Sequence, residues 1–141
     1  MDNQMKKGLP SMDEWIKEAK SHPNADQVGM YLFHNGVVRK TAKAKARLGH
    51  EVSDIDAMDF SYDPIKVENA IEKTYKMPGI HYIKVWLNEG HLSIGDDIMY
   101  VLIGGDIRPH VIDALQSLVQ TIKTECVVET EITKIEARPN S

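Results

Sequence analysis

A chain of 141 residues with 42% hydrophobic and 27% charged residues is long enough to bury one core without disulfides or metal, and its balance excludes a disordered or a membrane-spanning class. Seventeen basic against 21 acidic residues leave a formal charge of −4, so the overall field does not favour nucleic acid. No run approaches the roughly 20 apolar residues of a spanning helix, the start MDNQMKKGLPSMDEW lacks the apolar segment of a signal peptide, and a single cysteine suits a reducing compartment, so cytoplasm is the expected location.

Residues 1–10 are expected to be a flexible terminus, 11–135 one α+β domain and 136–141 a tail. Ser11 with Glu14 three residues on forms a capping box that opens a helix through Trp15, Ile16 and Ala19, closed before Pro23. The stretch VGMYLFHNGVVR, 28–39, predicts a strand that reverses at Asn35-Gly36, since Asn-Gly readily takes the positive backbone angles of a tight hairpin turn. Arg39 then ends the segment, either as an ordinary arginine on a solvated edge or as a planar fork of donors for a phosphate or carboxylate. The following RKTAKAKAR, 39–47, carries five positive charges (Arg39, Lys40, Lys43, Lys45, Arg47) and no acid. It reads equally as a solvated loop or as an anion site, and no aromatic is interleaved to stack on bases.

A strand is predicted around Ile55–Phe60, then a helix capped by Asp63 with Pro64 at its first position, running to about Met77 and stopped by Pro78-Gly79. His81–Leu87 is dense in strand formers. Asn88-Glu89-Gly90 leads into a short extended piece, Gly95-Asp96 turns the chain, and Ile98–Ile103 is an apolar strand. From Pro109 to about Thr124, Val111, Ile112, Leu115, Leu118, Val119 and Ile122 recur at three-four spacing and predict a core-facing helix. Cys126–Ile135 alternates as a last strand, with Val128, Thr130, Ile132 and Lys134 on one side. The other side holds Val127, Glu129, Glu131 and Thr133 and is expected to face solvent. From residue 54 onward the order strand, helix, strand, strand, helix, strand is that of a split βαβ core in an α+β fold, with the preceding helix and hairpin added.

Several chemistries lack their residues. The histidines at 22, 34, 50, 81, 91 and 110 show no metal-ligand spacing, so no metal is expected. Gly104-Gly105 before a helix has the weak look of an anion loop, but a strand-to-helix turn explains it, and neither a Walker pattern nor Gly-x-Gly-x-x-Gly is present. Cys126, inside an apolar run and with no histidine nearby in sequence, reads as a buried inert thiol. What remains is a set of cations at element ends: Arg39 with its basic loop, Arg108 before the last helix, and Lys123 at its far end. Fifteen residues of helix put Arg108 and Lys123 roughly 22 Å apart, so one subunit cannot bring both to a small ligand.

Three motifs, in order, carry a resemblance to the large subunit of molybdopterin synthase, the MoaE family, over roughly residues 10–133. Gly36-Val37-Val38-Arg39 resembles its Gly-x-Val-Arg strand end. Ile83–Ile103, with Gly90 and Gly95-Asp96-Asp97, is similar to its strand, Gly-x-Leu, x-Gly-Asp, strand unit. The helix of Leu115, Leu118 and Ile122 closing on Lys123-Thr124 resembles its helix ending in Lys-Thr. The resemblance implies an α/β hammerhead fold, a homodimer, and a ubiquitin-like small sulfur-carrier subunit inserting a Gly-Gly tail that ends in a thiocarboxylate. It implies sulfur transfer to a cyclic pyranopterin phosphate, with Lys123 catalytic and Arg39 and Arg108 binding anions; no bound cofactor is expected, and the charge of the basic loop adds Lys40, Lys43, Lys45 and Arg47 as candidate anion binders. Three positions depart: Ile107 stands at the family's histidine, Thr130 at its second lysine, and Glu125 where arginine is usual. A non-catalytic relative that keeps the fold as a dimeric binding module is the alternative, and an unrelated α+β regulatory or nucleotide-binding module is a third reading.

Overall fold

The computed structural model describes residues 9–41 and 54–133, so residues 1–8 of the expected flexible terminus, the expected tail 136–141 and Lys43, Lys45 and Arg47 of the basic loop lie outside the described residues. In chain order the elements are α1 (Met12–Lys20), a 3-10 turn (Ala25–Gln27), β1 (Met30–Val37), β2 (Ile55–Tyr62), α2 (Pro64–Tyr75), β3 (Ile80–Leu87), β4 (Gly90–Ser93), β5 (Asp97–Gly105), α3 (Arg108–Thr121), a π turn (Ile122–Cys126) and β6 (Val127–Thr133). The helix starts follow local chemistry. The Ser11 side chain accepts from Glu14 N, and the Asp63 carboxylate accepts from Ile65 N and Lys66 N ahead of Pro64, which satisfies donors a helix start otherwise leaves open. Asp63→Ala is expected to cost about 1 kcal/mol, read as a lower urea midpoint with an unchanged slope.

Two three-stranded antiparallel sheets result, ordered β1-β5-β3 and β4-β2-β6. The first is covered on both faces. On one side α1 packs Trp15 and Ala19 against Tyr82 and Leu102, with Trp15 edge-on to Phe33 and Tyr100 at 6.1 and 6.0 Å. On the other, Met99, Val101 and Ile103 of β5 meet Val111, Ala114, Leu118 and Ile122 below α3, and Met58, Phe60 and Leu92 of the second sheet join the same cluster. Alternation along β5 thus feeds two cores, because successive side chains point to opposite faces. Ile112, expected on the core face, is 36% exposed, and the shorter Ala114 takes a fully buried place.

The expected reversal at Asn35-Gly36 is not formed. Both residues lie inside β1, paired with Tyr100 and Met99, and the ladder slips only beyond Gly36. Gly36 is not among the glycines with positive φ, which are Gly79, Gly90 and Gly95. Asn35 Nδ2 instead donates to Asp97 Oδ1 at 3.0 Å and to the Met99 carbonyl at 3.4 Å. Local turn propensity loses here to a register of eight cross-strand pairs along the buried β5.

Candidate functional site

β1 delivers Arg39 to a fixed place. Val38, 1% exposed, donates its N–H to the Asp96 carbonyl (2.9 Å) and accepts from Gly95 N (2.8 Å), while the Lys40 carbonyl accepts from Ile55 N (2.9 Å). The backbone on both sides of Arg39 is therefore tied down, although the guanidinium itself is exposed. From the opposite direction, α3 does not run straight into β6. It widens into the π turn at Ile122–Cys126, anchored where Asp63 N donates to the Cys126 carbonyl at 2.9 Å. Such turns rotate a side chain away from the regular helical face, and the residue carried here is Lys123.

Arg39 and Lys123 line one cleft of ≈ 200 Å³ with His34, Gly36, Val37, Ile55, Met58, Ile98, Glu129 and Glu131. Lys123 Nζ lies 3.3 Å from Glu129 Oε2, with the lysine side chain 30% and the glutamate 6% exposed. The acidic face of β6, expected in solvent, therefore turns inward, while Val128 on the other face is 63% exposed. Two-residue periodicity separates the faces of a strand but does not say which is covered, and here the ion pair with Lys123 selects the charged one. Thr130, counted seven residues beyond Lys123, lies on the outward face with Asp59, His91 and Val128 and does not enter the cleft.

His34 and Glu129 were the residues that sequence reasoning missed. His34 is half-buried on the α3-facing side of β1, and burial, then the charge of Lys123, lowers its pKa below the ordinary 6.5. A second cleft of ≈ 420 Å³ along α3, lined by Leu115, Gln116, Val119 and Gln120, shares both His34 and Lys123 with the first. The signal for His34 was its parity with Met30 and Leu32, which places it on the core-facing side of the strand.

The remaining cations do not converge. Among the described residues Lys40 pairs with Asp54, at 3.9 Å and with both side chains exposed to solvent. Arg108 opens α3 at the end opposite Lys123, exposed beside Ile107, which caps the helix with no side-chain hydrogen bond. There Asp106 accepts from Ile107 N and pairs with His110 Nδ1 at 2.7 Å, and these bonds, the one to His110 foremost, lower its pKa. Gly104 and Gly105, read as a weak anion loop, are buried in β5. Burial raises the Cys126 thiol, reinforced by Glu125, as expected of an inert thiol. Among the described residues no three His, Cys, Asp or Glu side chains gather as a metal site, and no helix is long and apolar enough to cross a membrane.

Two antiparallel sheets sharing one core, with a mixed-charge cleft where the last helix unwinds, define an α+β protein of the hammerhead class. The sequence matches the MoaE protein family over residues 10–125, and the chain belongs to that family. The fold is similar to the crystal structure of molybdopterin synthase from Staphylococcus aureus, with 17% identity over 89% of this chain and 88% of that one and a TM-score of 0.68. It is also similar to the complex of subunits 1 and 2 of the molybdopterin-converting factor from Helicobacter pylori 26695, at 17% identity, 94% and 87% coverage and a TM-score of 0.62. The MoaE protein of Burkholderia ambifaria MC40-6 matches at 17% identity, 88% and 83% coverage and 0.62. No curated protein sequence matches the chain.

Proposed function

We propose that this protein acts in molybdenum cofactor biosynthesis as the large subunit of a molybdopterin synthase, moving sulfur from a thiocarboxylated small subunit to cyclic pyranopterin monophosphate. The observation that carries the reading is the convergence of Arg39 and Lys123, from opposite ends of the chain, on one cleft. Arg39 supplies the fork for the ligand phosphate, and Lys123 faces the reacting groups. Arg108 is too far along α3 to serve the same cleft. Its proposed part is anion binding across a homodimer, where it would complete the partner's site, and the small subunit would bring its Gly-Gly tail to Lys123. The test mixes the protein with its own organism's thiocarboxylated small subunit and the cyclic pyranopterin. Dithiolene product supports the reading, and absence of product with small-subunit binding retained overturns it.

The second reading, a non-catalytic binding relative, draws on Glu129, which occupies Lys123 with a carboxylate of the same chain. Arg39→Ala bears on the ligand in either case. Loss of one charge-assisted phosphate contact, about 1.5–3 kcal/mol, is expected to raise KM, or the Kd in a non-turnover titration, by roughly 10- to 100-fold with little change in kcat.

A further inference from the structure

We propose that His34 is the general base of this sulfur transfer, acting on the water that separates sulfur from its carrier. The inference rests on the sulfur-transfer reading above. Once the thiocarboxylate sulfur has bonded to the ligand carbon, carrier and ligand are joined through an acyl carbon–sulfur bond. The carrier must leave as a carboxylate, so an oxygen has to replace sulfur at the acyl carbon, and water supplies it. His34 takes one proton as the water oxygen bonds to that carbon, then returns it to sulfur as the carbon–sulfur electron pair departs. The second proton leaves to solvent from the new carboxylic acid. No oxidant or reductant enters.

Placement carries the assignment. Among the described residues, only His34 and Lys123 line both the cleft of Arg39 and the cleft along α3, so reactants entering from the two sides meet at these residues. The His34 ring makes no hydrogen bond within the described residues, leaving a nitrogen available to water. Gly36, two residues along on the same face, keeps Nε2 uncovered, since a Cβ there would stand 3.7 Å from it. The charged groups facing the ring are Lys123 from the π turn, Arg39 after β1, and Glu129 and Glu131 from β6, while α3 presents the neutral Gln116 and Gln120. With its pKa lowered by burial and Lys123, the imidazole is unprotonated at neutral pH and able to accept a proton. Of the other described histidines, His22 packs against Tyr82, His91 pairs with Asp59 and His110 with Asp106, and His81 lies in β3 and lines neither cleft.

The test follows a single turnover of wild type, His34→Gln and His34→Ala with thiocarboxylated small subunit and cyclic pyranopterin, resolving the acyl–sulfur adduct from its hydrolysis by mass spectrometry. In His34→Gln the adduct is expected to form at the wild-type rate and to hydrolyse about 10²- to 10⁴-fold more slowly. Wild-type hydrolysis should fall with acid through a midpoint below 6.5, a limb absent from His34→Gln, and added imidazole should restore part of the rate in His34→Ala. Unchanged hydrolysis in both variants overturns the proposal. So does equal slowing of both steps without imidazole rescue, which marks a structural role. Failure of the wild type to form any adduct removes the sulfur-transfer reading itself, and the role of His34 falls with it.

Discussion

Lys123→Ala is expected to abolish sulfur transfer, a loss on the order of 10³-fold or more if the amine acts at the reacting atoms. The same substitution breaks the ion pair with Glu129, whose side chain is only 6% exposed. Breaking a fully buried ion pair costs about 3–5 kcal/mol, and because Lys123 is itself 30% exposed the expected penalty is smaller, about 1–3 kcal/mol after screening by solvent. Activity and melting must therefore be read together. Lys123→Arg separates the two effects: it keeps a cation for Glu129 and should melt near wild type, yet remain inactive, because a guanidinium does not give up its proton. Full activity in a folded Lys123→Ala protein refutes the role. Activity in Lys123→Arg reduces it to charge alone.

Gly105→Val is expected to destabilise the fold by roughly 3 kcal/mol or more. A Cβ at 105 would lie 2.7 Å from the Gly79 carbonyl oxygen and 2.8 Å from Val111 Cγ2. Neither neighbour can yield cheaply, since that carbonyl accepts from Asp106 N at 2.9 Å and Val111 is fully buried. Gly105 is also paired with both Met30 and Ile80, so the crowding falls where three strands and the start of α3 join. Chemical denaturation checks the expectation, and an unfolding midpoint equal to wild type rejects it. The glycine pair that resembled an anion loop in sequence is thus required by close packing.

The local signals in the sequence translated well. Caps at Ser11 and Asp63, the stops after both, the strand at His81–Leu87 and the turn at Gly95-Asp96 each depend on residues within a few positions. The failures all involve distant partners. Asn35-Gly36 has the composition of a turn, but pairing with β5 keeps it extended. Glu129 and Glu131 have the composition of a wet face, but Lys123 and Arg39 converge on that side. Lys123 and Arg39 were themselves legible as cations at element ends, whereas their meeting depends on the unwinding at Ile122–Cys126, which helical periodicity cannot foretell. His34 was hidden for the opposite reason: its strand parity was visible, but a lone histidine on an apolar face gives no hint of what lies across from it.

For the ligand of the proposed function, the Lys123–Glu129 pair changes what anion recognition would mean. An arriving phosphate or carboxylate does not settle into a bare positive hole; it competes with a carboxylate permanently supplied at high effective concentration by the same chain. Binding is then an ion exchange, and its free energy is the difference between two anions' grips on one ammonium. A monovalent anion would offer no advantage over the resident carboxylate and is expected to bind poorly. A dianionic phosphate that also engages Arg39 gains a second contact that Glu129 does not supply at the lysine, so selectivity for the more highly charged, two-point ligand follows from the tethered competitor itself.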